Sequence, residues 1–308
     1  MFLSGLLGWL DRKGAGSDLA GPAAGVGPVP FDCPPPLEPR PSVTPRTDWP
    51  PYRIATAELL WGEGFVLPGG AEEVLRLARP LGLSRDSTLL LLGAGPGGAG
   101  QAITDALGCW VAGLESDAGL VALAAARAAR MPATAIRRAE CGLWDAAAPA
   151  FRTGYYHHAL ALEPLRGAPP EPVLAAITEA LKPHGQLVLV ELVGEETAGP
   201  ADHALAAWAR AERRPAELPT EAAITRMLGR LGYEVRVTED QSDRHSRLVL
   251  AGWKEMLARL AETEARPTPR QATALVEEAE RWLLRLRLMK QRRLRLLRWH
   301  AIRRVSAA

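Results

Sequence analysis

The sequence predicts an α/β domain: a doubly wound, mostly parallel sheet of seven strands with helices on both faces. Three observations carry this expectation. Leu89–Leu92 is an apolar run of the length a buried parallel strand needs, and it ends in Gly93-Ala94-Gly95-Pro96-Gly97-Gly98. A turn without Cβ atoms lets a backbone bend sharply and approach a ligand closely. A helix over Gln101–Leu107 and a second strand over Cys109–Leu114 then lead to Glu115, twenty residues beyond Gly95. At that spacing a Rossmann-like βαβ unit sets a carboxylate on the ribose hydroxyls of an adenosine-containing cofactor. Finally, strand-like and helix-like segments alternate through the rest of the chain, the pattern of a parallel sheet covered on both faces.

The totals set outer bounds. A chain of 308 residues, 47% of them apolar, can bury one large core or two modest ones. A formal net charge of +2 gives no reason to expect a nucleic-acid partner. The three cysteines, Cys33, Cys109 and Cys141, are widely spaced and odd in number, which suits a reducing compartment and argues against a disulfide or metal framework. No run of about 18 apolar residues is present to span a membrane. Met1–Leu10 is apolar but lacks the basic start and cleavage site of a signal peptide, so a cytoplasmic protein is expected.

Taken in order, residues 1–13 form a short apolar segment that could lie on a membrane or a partner, and 14–48 a linker. Eleven of the 26 prolines fall between Pro22 and Pro51, a composition that cannot build a packed core. The ordered domain is expected over residues 49–308. Tyr52–Leu60 has helical spacing of apolar residues, and Trp61–Gly70 (WGEGFVLPGG) reads as a glycine-rich loop. Ala71–Leu81 is a helix with Glu72 and Glu73 in its first turn and Arg76 and Arg79 later, as the helix dipole favours.

Beyond Glu115 the pattern predicts a helix over Ala118–Arg130 and a third strand over Ala133–Ala139, with Glu140 and Cys141 just past its end. Tyr156–Glu163 is the fourth strand, Glu171–Leu181 a helix and Gly185–Val193 the fifth strand. The polar stretch of about 194–219, with a helix at Ala201–Arg210, would overhang the strand ends where ligands bind in such sheets. Thr220–Leu231 is a helix, Tyr233–Thr238 a sixth strand, and Ser246–Ala261 and Thr268–Leu284 are helices. From Arg281 to Arg304 there are nine Arg, one Lys and no acid. This Arg-rich tail could serve nucleic acid or an anionic membrane surface, but the alternation through Leu294, Leu296 and Arg298–Arg303 favours a last strand with outward arginines.

The glycine turn fits two cofactor classes, since Gly93, Gly95, Gly97 and Gly98 satisfy both GxGxxG and GxGxG. A resemblance outside it decides. Leu181-Lys-Pro-His-Gly-Gln-Leu-Val-Leu-Val-Glu191 resembles the LKPGG-strand element of class I S-adenosylmethionine-dependent methyltransferases, with His184 where glycine is usual. Tyr156–Glu163 looks like their fourth strand, and Trp61–Gly70 is similar to the entry loop of the phosphoethanolamine N-methyltransferase-like small-molecule group. The likeness runs from about Trp49 to Arg304. It implies the class I methyltransferase fold and S-adenosyl-L-methionine as cofactor, with no metal. By the same resemblance Gly93, Ala94, Gly95 and Gly97 would lie beneath the methionine part, Glu115 would hold the ribose, and Ser116 would flank the adenine. Glu140 or Cys141 would sit near the adenine amine, and the loop beginning at Trp61 would close over the sulfonium.

The chain also departs from that pattern. Leu91 stands where the family has an acid two residues before the first glycine, and the subgroup's active-site histidine position falls near Gly167. Its tyrosine position falls near Trp49, with Tyr52 close by. Trp49, Tyr52 and Glu163 are therefore the catalytic candidates, with Trp208 and Arg210 as further acceptor contacts. The function implied is methyl transfer to a small molecule, an amine or a phospho-alcohol. Two other readings stand beside it: a methyltransferase-like binding or scaffold protein without turnover, and a dinucleotide-binding oxidoreductase resting on GxGxxG alone.

Overall fold

The computed structural model describes residues 48–131, 138–195, 203–262 and 267–304. Met1–Leu10 and the proline-rich stretch before residue 48 lie outside them. The five residues Thr88–Leu92 form strand β1, buried along its whole length. It lies mid-sheet, flanked in parallel by β2 (Trp110–Glu115) and β4 (Tyr156–Leu162). β3 (Ala139–Leu143) extends the sheet beyond β2, and β5 (Leu181–Gly194) follows β4, both in parallel. β7 (Leu294–Arg303) then runs antiparallel between β5 and β6 (Tyr233–Asp240), giving the order 3-2-1-4-5-7-6. The order reverses between β1 and β4, so a crevice opens at their carboxyl ends, where open α/β sheets bind ligands.

Alternation along the central strands splits the apolar residues into two cores. Leu89, Leu91, Val188 and Val190 face one layer with Ile103 and Trp208, while Leu90, Leu92, Leu187 and Leu189 face the other with Ile177 and Trp299. The helices α3 (Gly98–Leu107), α4 (Ala118–Ala128), α5 (Pro170–Ala180), α6 (His203–Ala211) and α7 (Glu221–Arg230) complete the alternation. α2 (Gly70–Ala78) ends in a 3-10 turn at Arg79–Leu81, because Pro80 cannot continue the hydrogen-bond ladder. A third apolar cluster joins α1 (Pro51–Trp61) to two long helices inserted between β6 and β7, α8 (Ser242–Glu262) and α9 (Pro269–Lys290), through Ile54, Trp61, Val249, Met256 and Trp282. Val66 and Leu120, from beside the glycine turn, belong to that same cluster.

The third strand, expected to end at Ala139, continues beyond it: the described pairing with β2 runs from Val111↔Ala139 to Glu115↔Leu143, which puts Glu140 and Cys141 inside the strand and not past its end. An alanine-rich segment carries little strand signal, and β3 is an edge strand only half buried, so its apolar pattern is weak. Residues 132–137 lie outside the described residues. His184, the substitute for a usual glycine, has φ +61°, the left-handed backbone region that glycine occupies at least cost.

The Arg-rich tail becomes the last turns of α9 and strand β7. Three of its arginines pair with acids of α7 and β6: Arg295 with Glu221 at 3.0 Å, Arg298 with Glu239 at 2.6 Å and Arg304 with Glu234 at 3.4 Å. No described helix is long and apolar enough to cross a membrane.

Candidate functional site

The turn after β1 is held to β2 by backbone bonds. The N–H groups of Gly93 and Ala94 both donate to Leu114 O, at 3.0 and 3.3 Å. Gly93 has φ +72°, and a Cβ there would lie 2.2 Å from Leu162 O at the end of β4, so only glycine lets the two strands close. Gly97, at φ +98°, is the N-cap of α3 and turns the chain from the glycine turn into that helix.

Glu115 ends β2 and is buried. Its Oε2 accepts the Gly95 N–H at 3.0 Å, and its Oε1 accepts those of Ser116 and Asp117 at 2.7 and 3.2 Å. Burial raises its pKa against those three donors. A carboxylate offers about four lone-pair sites, so Oε2 keeps one for a ligand hydroxyl.

A cleft of about 470 Å³ of empty space, part of it open to solvent, lies over this turn. Of the residues the sequence assigns to a cofactor, Gly93, Glu115 and Ser116 line it and Ala94, Gly95 and Gly97 do not; Trp49, Val66, Leu67, Trp144 and Arg166 line it as well. The indole Nε1 of Trp144 is buried and has no partner among the described residues. Trp49 reaches the cleft because Asp117 anchors it. Asp117 Oδ1 caps α4 through the N–H groups of Gly119 and Leu120, at 2.8 and 3.1 Å, while Oδ2 accepts those of Asp48 and Trp49, at 2.6 and 3.1 Å. Losing the cap alone should cost about 0.5–2 kcal/mol. Asp117→Ala is therefore expected to lower the urea midpoint and to speed amide exchange at Trp49, with Asp117→Asn intermediate; an unaltered Trp49 amide would disprove the anchor.

Other sequence candidates fall elsewhere. Trp61 packs into the helical cluster, its ring 5.4 Å from that of Trp282. The loop that follows it does reach the site: Gly64 O accepts the Gly98 N–H at 3.0 Å, and Val66 and Leu67 wall the cleft. Glu140 and Cys141 are not among the cleft residues, although Cys141 Sγ approaches Gly95 O at 3.8 Å. Tyr52 is 47% exposed, whereas Trp208 is fully buried in the core. Leu91 is also fully buried, packed with Ala99 and Ile103 of α3. His157 and His158 sit at the amino end of β4, where Thr88 N and Gln186 N donate to their Nδ1 atoms at 3.0 and 3.3 Å.

Glu163, directly after β4, borders the cleft in a left-handed conformation at φ +47°. A non-glycine residue there stores backbone strain of order 1–3 kcal/mol, a feature that clusters at functional sites. Its carboxylate accepts Arg285 Nη2 at 2.5 Å and Arg214 Nη1 at 3.0 Å. These belong to a buried ionic network in which Arg214 also reaches Glu191, Arg53 joins Glu212 to Glu278, and Arg166 joins Glu212. Neither periodicity nor spacing in the sequence reveals this network.

Burial opposes the charge on Glu163, but the guanidiniums of Arg285 and Arg214 outweigh it and hold the pKa near 2. Glu163 is thus a fixed negative charge at neutral pH and not a proton carrier. Glu191 goes the other way: burial and the neighbouring Glu163 push it up to about 7, against Arg214 and two backbone donors. The signs give opposite pH dependences. Stability from Glu163 is full above its unfolded value of 4.5 and is lost as pH falls toward 2. For Glu191 the folded state binds the proton more tightly, so stability falls as pH rises from 4.5 to about 7. Urea unfolding of Glu191→Gln at pH 5 and pH 7 is expected to lose that decline; an unchanged slope would assign it to another group.

No family model matches the chain. A curated relative, phosphoethanolamine N-methyltransferase 2 of Caenorhabditis elegans, is 26% identical over 152 residues, 49% of this chain and 34% of that protein. Among solved structures, phosphoethanolamine N-methyltransferase 2 of Haemonchus contortus, in complex with phosphomonomethylethanolamine and S-adenosylhomocysteine, superimposes with a TM-score of 0.71 at 17% identity. The match covers 82% of this chain and 57% of that one. A putative sarcosine dimethylglycine methyltransferase from Galdieria sulphuraria gives 0.65 at 15% identity, over 82% of this chain and 98% of that one. The chain thus spans about a third of the curated relative's length and little more than half of the first of these structures. From the glycine turn after β1 to the antiparallel β7, it has the fold of the class I S-adenosylmethionine-dependent methyltransferases.

Proposed function

We propose that the cleft over the glycine turn binds S-adenosyl-L-methionine and that the protein transfers its methyl group to a small molecule, an amine or a phospho-alcohol. One observation carries the reading: the Glu115 carboxylate is buried against the Gly95 N–H, at the carboxyl end of β2 and facing the cleft, with a lone pair to spare. The backbone of Gly93–Gly97 would support the methionine part and Glu115 the ribose. The aromatic and apolar walls of Trp144, Leu120 and Val66 would exclude water. The cofactor supplies an electrophilic methyl group on a sulfonium. What the chain must add is an acceptor held in line and desolvated, and positioning alone can contribute about 7–11 kcal/mol to such a reaction.

The second reading, a binding protein without turnover, draws on Leu91. An apolar residue packed under α3 gives the cofactor's ammonium end no carboxylate partner there. Calorimetric titration with S-adenosylmethionine and S-adenosylhomocysteine tests the first reading, and an acceptor screen separates it from the second. Micromolar binding of both is expected; absence of either binding would remove the cofactor site. Binding of both without turnover on amines or phospho-alcohols would favour the second reading.

A further inference from the structure

A second cavity, with about 530 Å³ of empty space partly open to solvent, lies behind the first. The two share Leu67, Leu162 and Glu163 as their common wall. Beyond that wall the lining is mainly hydrocarbon: Leu77, Val190, Leu248 and Leu296 from α2, β5, α8 and β7. Its polar side chains are Glu73, Glu163, Gln241 and His245, and no lysine or arginine lines it.

The nearby guanidiniums are already engaged. Glu73 accepts Arg76 Nη2 at 2.6 Å and Arg244 Nε at 2.8 Å, Gln241 Oε1 accepts Arg76 Nη2 at 2.5 Å, and Glu163 takes Arg214 and Arg285. His245 remains. It is buried in α8 against Trp282, ring centroids 5.7 Å apart, and its Nε2 has no partner among the described residues. Burial and the Arg285 charge hold its pKa well below the usual value, so the ring is neutral. A neutral imidazole can present a bare nitrogen to an N–H donor. An unpaired buried nitrogen is costly and gains most from a ligand that pairs it.

We propose that this cavity is the acceptor site and that it selects an apolar amine, its nitrogen on His245 Nε2 and its hydrocarbon against Leu77, Leu248 and Leu296, while rejecting phosphorylated acceptors. A dianionic phosphate would meet two carboxylates and no free cation, whereas a neutral amine needs no counter-ion, and the Arg285 charge that keeps His245 neutral likewise favours the free base over the ammonium. The proposal rests on the methyl-transfer reading for the fate of the amine, not for its binding. The amine enters as the free base, its ammonium proton left with bulk water. Its lone pair then forms the N–CH₃ bond as the S–CH₃ bond breaks, and the sulfonium becomes a neutral thioether. Neither Glu163, fixed as an anion, nor His245, fixed as a neutral ring, takes that proton.

The test is calorimetry on the full chain with propylamine, pentylamine and phosphoethanolamine, each with and without S-adenosylhomocysteine. Pentylamine should bind about tenfold more tightly than propylamine, as two more buried methylenes require. Phosphoethanolamine should give no saturable heat. Leu248→Trp fills the cavity and should abolish amine binding; His245→Leu should weaken it about tenfold. Both variants should bind S-adenosylhomocysteine as the wild type does, which also reports that they fold. Phosphoethanolamine binding that Leu248→Trp abolishes would overturn the proposal, as would amine binding that is absent or equal in all three proteins. Failure of S-adenosylhomocysteine to bind the wild type would instead remove the cofactor reading, with the amine titration still deciding the cavity.

Discussion

Replacing Gly95 with Asp is expected to weaken S-adenosylmethionine binding by a hundredfold or more while the far-UV circular dichroism of the fold is retained. Gly95 has φ +59°, a region in which an L-residue costs about 1–2 kcal/mol, least for Asn and Asp. Its new Cβ would lie 3.3 Å from Val66 Cγ2, so the entry loop must yield slightly. The larger effect is electrostatic. The Gly95 N–H sits 3.0 Å from Glu115 Oε2, and an aspartate there sets a second carboxylate beside a buried one. A hundredfold loss corresponds to about 2.7 kcal/mol, well within reach of an uncompensated buried charge. Gly95→Ala carries the backbone cost without the charge and should lose far less. If Gly95→Asp folds and still binds the cofactor as tightly as the wild type, the turn is not the site.

What the sequence made legible was local. The glycine turn, Glu115 and Ser116 lie within one βαβ unit, so their juxtaposition follows from the strand and helix lengths between them. The tail resolved for the same reason: alternation through Leu294–Arg303 marks a strand, and its basic residues meet acids of β6 and α7. The rest of the site comes from long-range packing. Arg214 is 51 residues from Glu163, Arg285 is 122, and Arg53 is 225 from Glu278. No periodicity carries such distances. Trp144 was equally hidden, since nothing in its immediate neighbours distinguishes a cleft wall from a core tryptophan. Asp117 lies one residue before the helix expected from Ala118, and nothing in the sequence singles it out. In the structure it caps that helix, and its grip on the Trp49 backbone depends on α1 returning to the carboxyl end of β2.

The buried ionic network predicts the largest stability effect. Arg285→Met is expected to destabilise the protein by about 3–5 kcal/mol, because it strips one counter-ion from a buried carboxylate without removing the charge. Arg285 is almost fully buried, 2.5 Å from Glu163 Oε1 and stacked at 5.3 Å on the Trp282 ring. Methionine replaces much of its hydrocarbon, so lost packing contributes little to the difference. Glu163→Gln in the same background removes the stranded charge, and the double variant should recover part of the loss. Urea unfolding of the four proteins would read this as a coupling of opposite sign to simple additivity. The acid limb supplies an independent check. With Arg285 gone, the pKa of Glu163 rises from about 2 toward 4.5, so the variant has less stability to lose as pH falls through that range. A flattened acid limb together with partial rescue would assign the effect to the ion pair. Equal destabilisation at every pH, with no rescue, would assign it to packing around Trp282 and leave the charge of Glu163 irrelevant to the wall between the two cavities.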